Sequence, residues 1–169
     1  TIANPNAPDN IFINEGGTYA ITDGESNTAL GVNALIATTE GDSNTAIGTH
    51  VLKANTTGDQ NTAVGHQSLE YNTTGNSNTA IGVSTMYWST TGDNNTAVGR
   101  GALTMLGYSG TEGEENTALG RSALLRVTSG DKNIGIGYLA GEDITTGSNN
   151  VIIGEWAGTA TLADTVAIY

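Results

Sequence analysis

The chain has 169 residues, with 17 acids against 5 Lys and Arg and a net charge of −12. That balance argues against nucleic acid and anionic lipid as partners, because both need clustered cations. Cysteine is absent, no apolar run approaches the ~20 residues of a membrane span, and Gly, Thr and Asn, poor helix formers, make up 69 of the 169 residues.

Residues 1–15 hold both prolines and follow no repeat, and they read as an N-terminal linker or cap. From residue 16 to 169 the chain is one repetitive domain. Thr18-Tyr19-Ala20-Ile21 reads as an opening half-copy of its unit. The full octets are GESNTALG (24–31), GDSNTAIG (41–48), GDQNTAVG (58–65), GNSNTAIG (75–82), GDNNTAVG (92–99) and GEENTALG (113–120), then the looser GDKNIGIG (130–137) and GSNNVIIG (147–154). Their central residues are Asn27, Asn44, Asn61, Asn78, Asn95, Asn116, Asn133 and Asn150, spaced by 17 throughout except for one 21-residue insertion repeat at 96–116. Thr165 to Tyr169 reads as a ninth, degenerate copy that ends inside an apparent strand.

A 17-residue unit is too short for the helix pairs of ankyrin-type arrays. It suits one coil of an all-β solenoid or β-roll of 8–9 coils. In Asn-Thr-Ala-Val-Gly, alternation puts Thr and the aliphatic residue on one face, and Asn, Ala and Gly on the other. The aliphatic column is Leu30, Ile47, Val64, Ile81, Val98, Leu119, Ile136 and Ile153. A second apolar column, Leu35, Leu52, Leu69, Met86, Leu103 and Leu124, lies in a segment readable as a short strand or a helical turn. The two columns are expected to face each other across a narrow core. The small face of Ala29, Ala46, Ala63, Ala80, Ala97 and Ala118 is then expected to pack against partner chains.

The unit G-x-x-N-T-A-[VIL]-G, followed by x-x-A-L-x-x-N-T-T-G, resembles repeats of bacteriophage tail-fibre and tailspike proteins. The best local matches run from Asn55 to Gly65 and from Asn72 to Gly82. The strand is also similar to the S-x-A-I-G unit of trimeric autotransporter adhesin heads. The resemblance implies a left-handed parallel β-roll, a homotrimer, and a place on a virion tail fibre or at the cell surface. It implies attachment to a host cell through multivalent binding to surface polysaccharide. A purely structural trimeric shaft is the alternative. The period of 17 is longer than in the adhesin heads.

No catalytic constellation is evident, so no enzyme activity is expected. The aromatic residues break the repeat. Tyr71 and Trp88 occupy one position on adjacent coils, Tyr87 sits beside them, and the long repeat adds Tyr108. These four are the candidate glycan-binding residues, since rings cover the apolar face of a sugar while Asn, Thr and acids reach its hydroxyls. The competing reading of Tyr71 and Trp88 is packing at a chain–chain contact. Trp156 is expected to cap the core. An acidic column that includes Asp42, Asp59, Asp93 and Asp131 suits either solvated carboxylates or a Ca²⁺ file, and calcium is the only cofactor entertained. His50 and His66 lack a third metal ligand. The Thr pairs Thr38-Thr39, Thr56-Thr57, Thr73-Thr74, Thr90-Thr91 and Thr145-Thr146 suit turn chemistry, or an ice-binding face as a minor reading. Asp93, Glu112, Glu114 and Glu115 near the long loop are the acids a polysaccharide-cleaving spike would use.

Overall fold

The computed structural model describes residues 9–13, 20 and 22–169. Each coil contributes one three-residue strand: β1 (Ile11–Ile13), β2 (Thr28–Leu30), β3 (Thr45–Ile47), β4 (Thr62–Val64), β5 (Thr79–Ile81), β6 (Thr96–Val98), β7 (Thr117–Leu119), β8 (Ile134–Ile136), β9 (Val151–Ile153) and β10 (Val166–Ile168). All ten pair in parallel and in chain order, a parallel β-solenoid of about nine turns. The register stacks like on like, with Thr45 beside Thr62, Ala46 beside Ala63 and Ile47 beside Val64. At a strand spacing of ~4.8 Å the sheet runs about 43 Å. No helix occurs among the described residues.

The sheet starts within the segment read as a linker or cap, because β1 pairs with β2. Thr18, Tyr19 and Ile21 of the expected half-copy lie outside the described residues. The degenerate final copy supplies β10, which pairs with β9.

The strands are short because both ends are turned. The residue before each central Asn is left-handed, as at Ser43 (φ 58°) and Gln60 (φ 58°). The octet's last glycine is also left-handed (Gly31, φ 130°), and a Cβ there would lie 2.7 Å from the carbonyl carbon of Gly48 on the next coil. A residue with a side chain cannot occupy that corner at this coil spacing. The second segment is neither strand nor helix. It is a tight turn with Leu35, Leu52, Leu69 and Leu103 at φ 47–51°. A left-handed Leu costs ~1–2 kcal/mol, and burying its side chain contributes ~1.5–3 kcal/mol.

That turn overturns the expected core. Leu35, Leu52, Leu69, Met86, Leu103 and Leu124 are fully buried, but they face the Ala column, which is buried as well. Leu30 (45% exposed), Ile81 (40%) and Leu119 (48%) point outward, so the strand aliphatics form no internal file and the Ala face meets no partner. The physical reason is the width of the coil. The Leu or Met sent in from the wall opposite the sheet fills the space behind each strand and leaves room there for a methyl group.

The last coils show the same constraint by exchange. At Gly135, in the Ala column, a Cβ would meet Leu124 Cγ at 2.7 Å. One coil later the sheet supplies the large residue, buried Ile152, and Gly141 takes the Leu position. Phe12 fills the Ala position at the opening coil and is 4% exposed. Trp156 and Leu162, half-buried, pack against the core at the other end.

Beside the Leu column a buried column changes character along the rod. Thr38, Asn55, Asn72 and Ser89 give way to Leu106, Val127 and Ile144. Asn72 Nδ2 donates to Asn55 Oδ1 at 2.7 Å, whereas Asn72 Oδ1 and Thr38 Oγ1 are buried without a partner.

The central asparagines form the main polar spine. Asn27, Asn44, Asn61, Asn78, Asn95, Asn116, Asn133 and Asn150 are all buried. In each regular coil the side-chain amide reaches both neighbours. Asn61 Nδ2 donates to Asn44 Oδ1 (3.2 Å) and to the Gly75 carbonyl (2.7 Å), while Asn61 Oδ1 accepts from the Asn78 backbone N–H (3.0 Å). The spine satisfies backbone groups at the corner where the strand begins, so a buried polar column carries little desolvation penalty.

Candidate functional site

The wall opposite the sheet carries the site. The Leu of each coil points inward, and the next two residues point out. On three successive coils those outward pairs are Lys53-Ala54, Glu70-Tyr71 and Tyr87-Trp88. Because Tyr71 and Trp88 are one repeat apart, coil stacking sets their rings face to face, with centroids 4.9 Å apart and planes at 8°. Tyr87 meets both edge-on, at 5.1 Å and 89° to Tyr71 and at 4.9 Å and 81° to Trp88. The long repeat then brings Tyr108 edge-on to Trp88 at 5.5 Å. The structure thus gathers all four candidate aromatics into one cluster. Its outer members stay open to solvent: Tyr71 is 37%, Trp88 36% and Tyr108 60% exposed. Each ring pair contributes ~0.5–1.5 kcal/mol beyond area burial, so the platform is held in shape before any ligand arrives.

Polar groups border it. Glu70 is almost fully buried. Its Oε1 lies 3.5 Å from Lys53 Nζ and 3.9 Å from His50 Nδ1, while its Oε2 is buried without a hydrogen-bond partner. Tyr87 has its hydroxyl pKa pushed up to about 12, first by the side-chain hydrogen bond with Tyr71, then by burial and by the nearby charge of Glu70. His66 lies against His50 with ring centroids 6.3 Å apart. Sequence reasoning missed the group of Glu70, Lys53 and His50, because the three differ in type and join only through stacking of neighbouring coils.

The long loop depends on one carboxylate. In regular coils the second-segment corner is closed by a carbonyl one coil on: the Thr56 and Thr57 N–H groups and the Thr56 hydroxyl all donate to the Thr73 carbonyl. At the coil of Thr90 the inserted residues displace that carbonyl, and Glu112 substitutes for it. Its carboxylate accepts from the N–H of Thr90, from the hydroxyls of Thr90 and Ser89, and from the N–H of Thr91 and Gly92, each at 2.9 Å. Gly107 leaves room for it, since a Cβ there would be 2.8 Å from Glu112 Oε2.

The other candidates also sit in ladders. In the acidic column, Asp42 Oδ1 accepts the Glu25 N–H at 2.7 Å, Asp59 Oδ1 the Asp42 N–H at 2.8 Å, Asp93 Oδ1 the Asn76 N–H at 2.6 Å and Asp131 Oδ1 the Glu114 N–H at 2.9 Å. Each carboxylate therefore bonds along the rod to the coil before it. Among the described residues no three His, Cys, Asp or Glu side chains gather as a metal site. The Thr ladder hydroxyls donate to carbonyls one coil on, as Thr73 Oγ1 does to Thr90 at 2.9 Å. Thr38-Thr39 is offset by one residue: Thr39, not Thr38, makes the ladder bond, to the Thr56 carbonyl.

No protein-family model, curated protein or solved structure matches this chain.

Proposed function

We propose that the chain is a segment of a virion tail fibre or surface adhesin that assembles as a homotrimer and attaches to host-cell polysaccharide through the aromatic cluster. The observation that carries the binding step is the solvent-open platform of Tyr71, Tyr87, Trp88 and Tyr108, with parallel rings at its centre. Sugars stack their apolar faces on such rings, and the bordering Lys53 and His50 offer hydrogen bonds to hydroxyls.

The trimer rests on the opposite wall. Outward positions of the sheet are Thr or aliphatic on every strand, with no charge, in a chain of net charge −12. That strip is two side chains wide and amounts to roughly 400 Å², inside the range of about 300–600 Å² for a monomer's largest patch, so its regularity and freedom from charge, not its area, carry the assembly. Two further copies fit it because they carry the same strand spacing and no repelling charge. Assembly through the sheet leaves three aromatic clusters facing outward. Linked sites then raise apparent affinity by mass action. Binding without cleavage is the reading of the loop acids, because Glu112 is committed to backbone amides.

Glycan-array screening of the chain and of Trp88→Ala, each checked by sedimentation, tests both halves. Specific binding by the parent, lost in the variant at unchanged molecular mass, is expected. Silence of the folded parent across the array would refute attachment and leave the structural shaft. A monomer in sedimentation would refute the assembly.

A further inference from the structure

We infer that the rod wall next to the aromatic cluster holds an oxyanion site, and that the polysaccharide it binds is acidic, carrying carboxylate or sulfate groups. This rests on the proposed glycan binding and names the class of sugar. The site is a hollow of about 250 Å³ lined by Val83, Ser84, Arg100, Gly101, Arg121 and Ser122.

A missing side chain makes the hollow. In the column that Gly101 joins, the other coils carry Asn33, His50, Gln67, Ser84, Ser122 and Leu139, all at φ 53–59°. Gly101 keeps the left-handed backbone (φ 70°) without the side chain. A gap therefore opens between Ser84 on one coil and Ser122 on the next but one.

Two of the chain's five Lys and Arg flank that gap. Arg100 and Arg121 occupy the same position on adjacent coils, tied by a hydrogen bond from Ser122 N to the Arg100 carbonyl at 2.9 Å. Both are exposed. Among the described residues neither has a carboxylate within ion-pair distance, although Arg126 pairs with Glu142 and Asp143, and Lys53 with Glu70. Arg121 is held with its guanidinium 5.4 Å from the Tyr138 ring centroid. Adjacent like charges left without an acid, in a chain so rich in acids, are arranged for an anion from outside. Guanidinium forks match the planar or tetrahedral oxygens of carboxylate and sulfate, and the two Ser hydroxyls lie in the lining to donate to a third oxygen. The hollow adjoins the aromatic cluster: Ser84 lies three residues before Tyr87, and its carbonyl accepts from the Thr104 hydroxyl one coil on. A chain of sugars can lie across the exposed parts of Trp88 and Tyr108 while its next acidic substituent enters the hollow.

The test is a titration of the full chain with three probes: an oligogalacturonate, a sulfated heparin disaccharide and a neutral cello-oligosaccharide. It is repeated on Arg100→Gln, Arg121→Gln and Gly101→Asn. The last variant refills the hollow with the residue found at Asn33, and its Cβ would meet nothing closer than 3.5 Å, so it folds. At least one acidic probe is expected to bind at least tenfold more tightly than the neutral one. Each variant is expected to lose about tenfold for the acidic probe, and raised salt to weaken it. Preference for galacturonate or for the sulfated disaccharide assigns carboxylate or sulfate. Equal affinity for acidic and neutral probes, unaffected by Gly101→Asn but lost in Trp88→Ala, overturns the oxyanion site and leaves the platform standing. Acidic binding unaffected by all three variants overturns it too. No binding of any probe, with no amide shift at Ser84, Gly101 or Ser122 in inorganic sulfate, overturns the site; if the array is silent as well, the glycan reading falls with it.

Discussion

Replacing Asn78 with Ala removes one rung from the middle of the polar spine. Three side-chain bonds are lost: Nδ2 to Asn61 Oδ1 (3.1 Å), Nδ2 to the Gly92 carbonyl (2.6 Å), and the one Oδ1 accepts from the Asn95 N–H (2.9 Å). Asn61 Oδ1 keeps the Asn78 backbone N–H. The Asn95 N–H and the Gly92 carbonyl are left orphaned inside the rod, both on buried residues. An orphaned buried group costs ~1–3 kcal/mol, so two give about 2–6 kcal/mol before any water enters. Against a typical total stability of ~5–15 kcal/mol that is a large loss, and it falls at one interface between coils. Repeat arrays are held by nearest-neighbour contacts, so the variant should melt in two steps around the coil of Asn78. Urea unfolding followed by circular dichroism measures the loss, and hydrogen exchange at Asn95 locates it. A loss below about 1 kcal/mol with a single transition would mean that water replaces the rung freely and that the spine does not hold the coils together.

Glu112→Ala should free the N–H groups of Thr90, Thr91 and Gly92 and destabilise the long-loop corner by ~2–6 kcal/mol, counted from the two shielded donors, Thr90 and Gly92, since Thr91 is exposed to water; exchange protection confined to those amides reads it. Glu112→Gln keeps one acceptor oxygen and should lose less. Ile81→Lys places a charge on the outward sheet face and should yield a folded monomer in sedimentation; an unchanged mass refutes the sheet-face assembly. Tyr87 holds its proton more tightly folded than unfolded. Its contribution to stability is therefore complete below pH ~10, the ordinary Tyr value, and fades as pH rises to the folded value of about 12. Thermal melts between these limits should show that decline, and Tyr87→Phe should reduce it.

Much of the site was legible because stacking at one period converts sequence distance into contact. Tyr71 and Trp88, one repeat apart, had to meet, and they do at 4.9 Å. Tyr108 was harder, since only the path of the inserted residues decides where it lands. Glu112 was visible only as an acid near a loop. That its carboxylate replaces a lost carbonyl depends on which amides the insertion leaves open. The hollow at Gly101 carried a faint signal, a glycine in a column of larger residues.

The amino-acid order by itself determined the period, the parallel stacking of coils and the vertical alignment of each residue type, because a repeat spaced by 17 admits one in-register pairing; that each coil carries one strand and a tight turn came from the structure. It did not determine which strand face looks inward. Thr-Ala-Ile alternates equally well either way, and hydrophobicity alone favours Ile inside. The tertiary structure reversed that preference because the space between each strand and the turn that faces it admits one large side chain. The left-handed turn on the far wall already delivers a Leu or Met there, and where Gly141 leaves that place open the sheet sends in Ile152, as it sends in Phe12 on the opening coil.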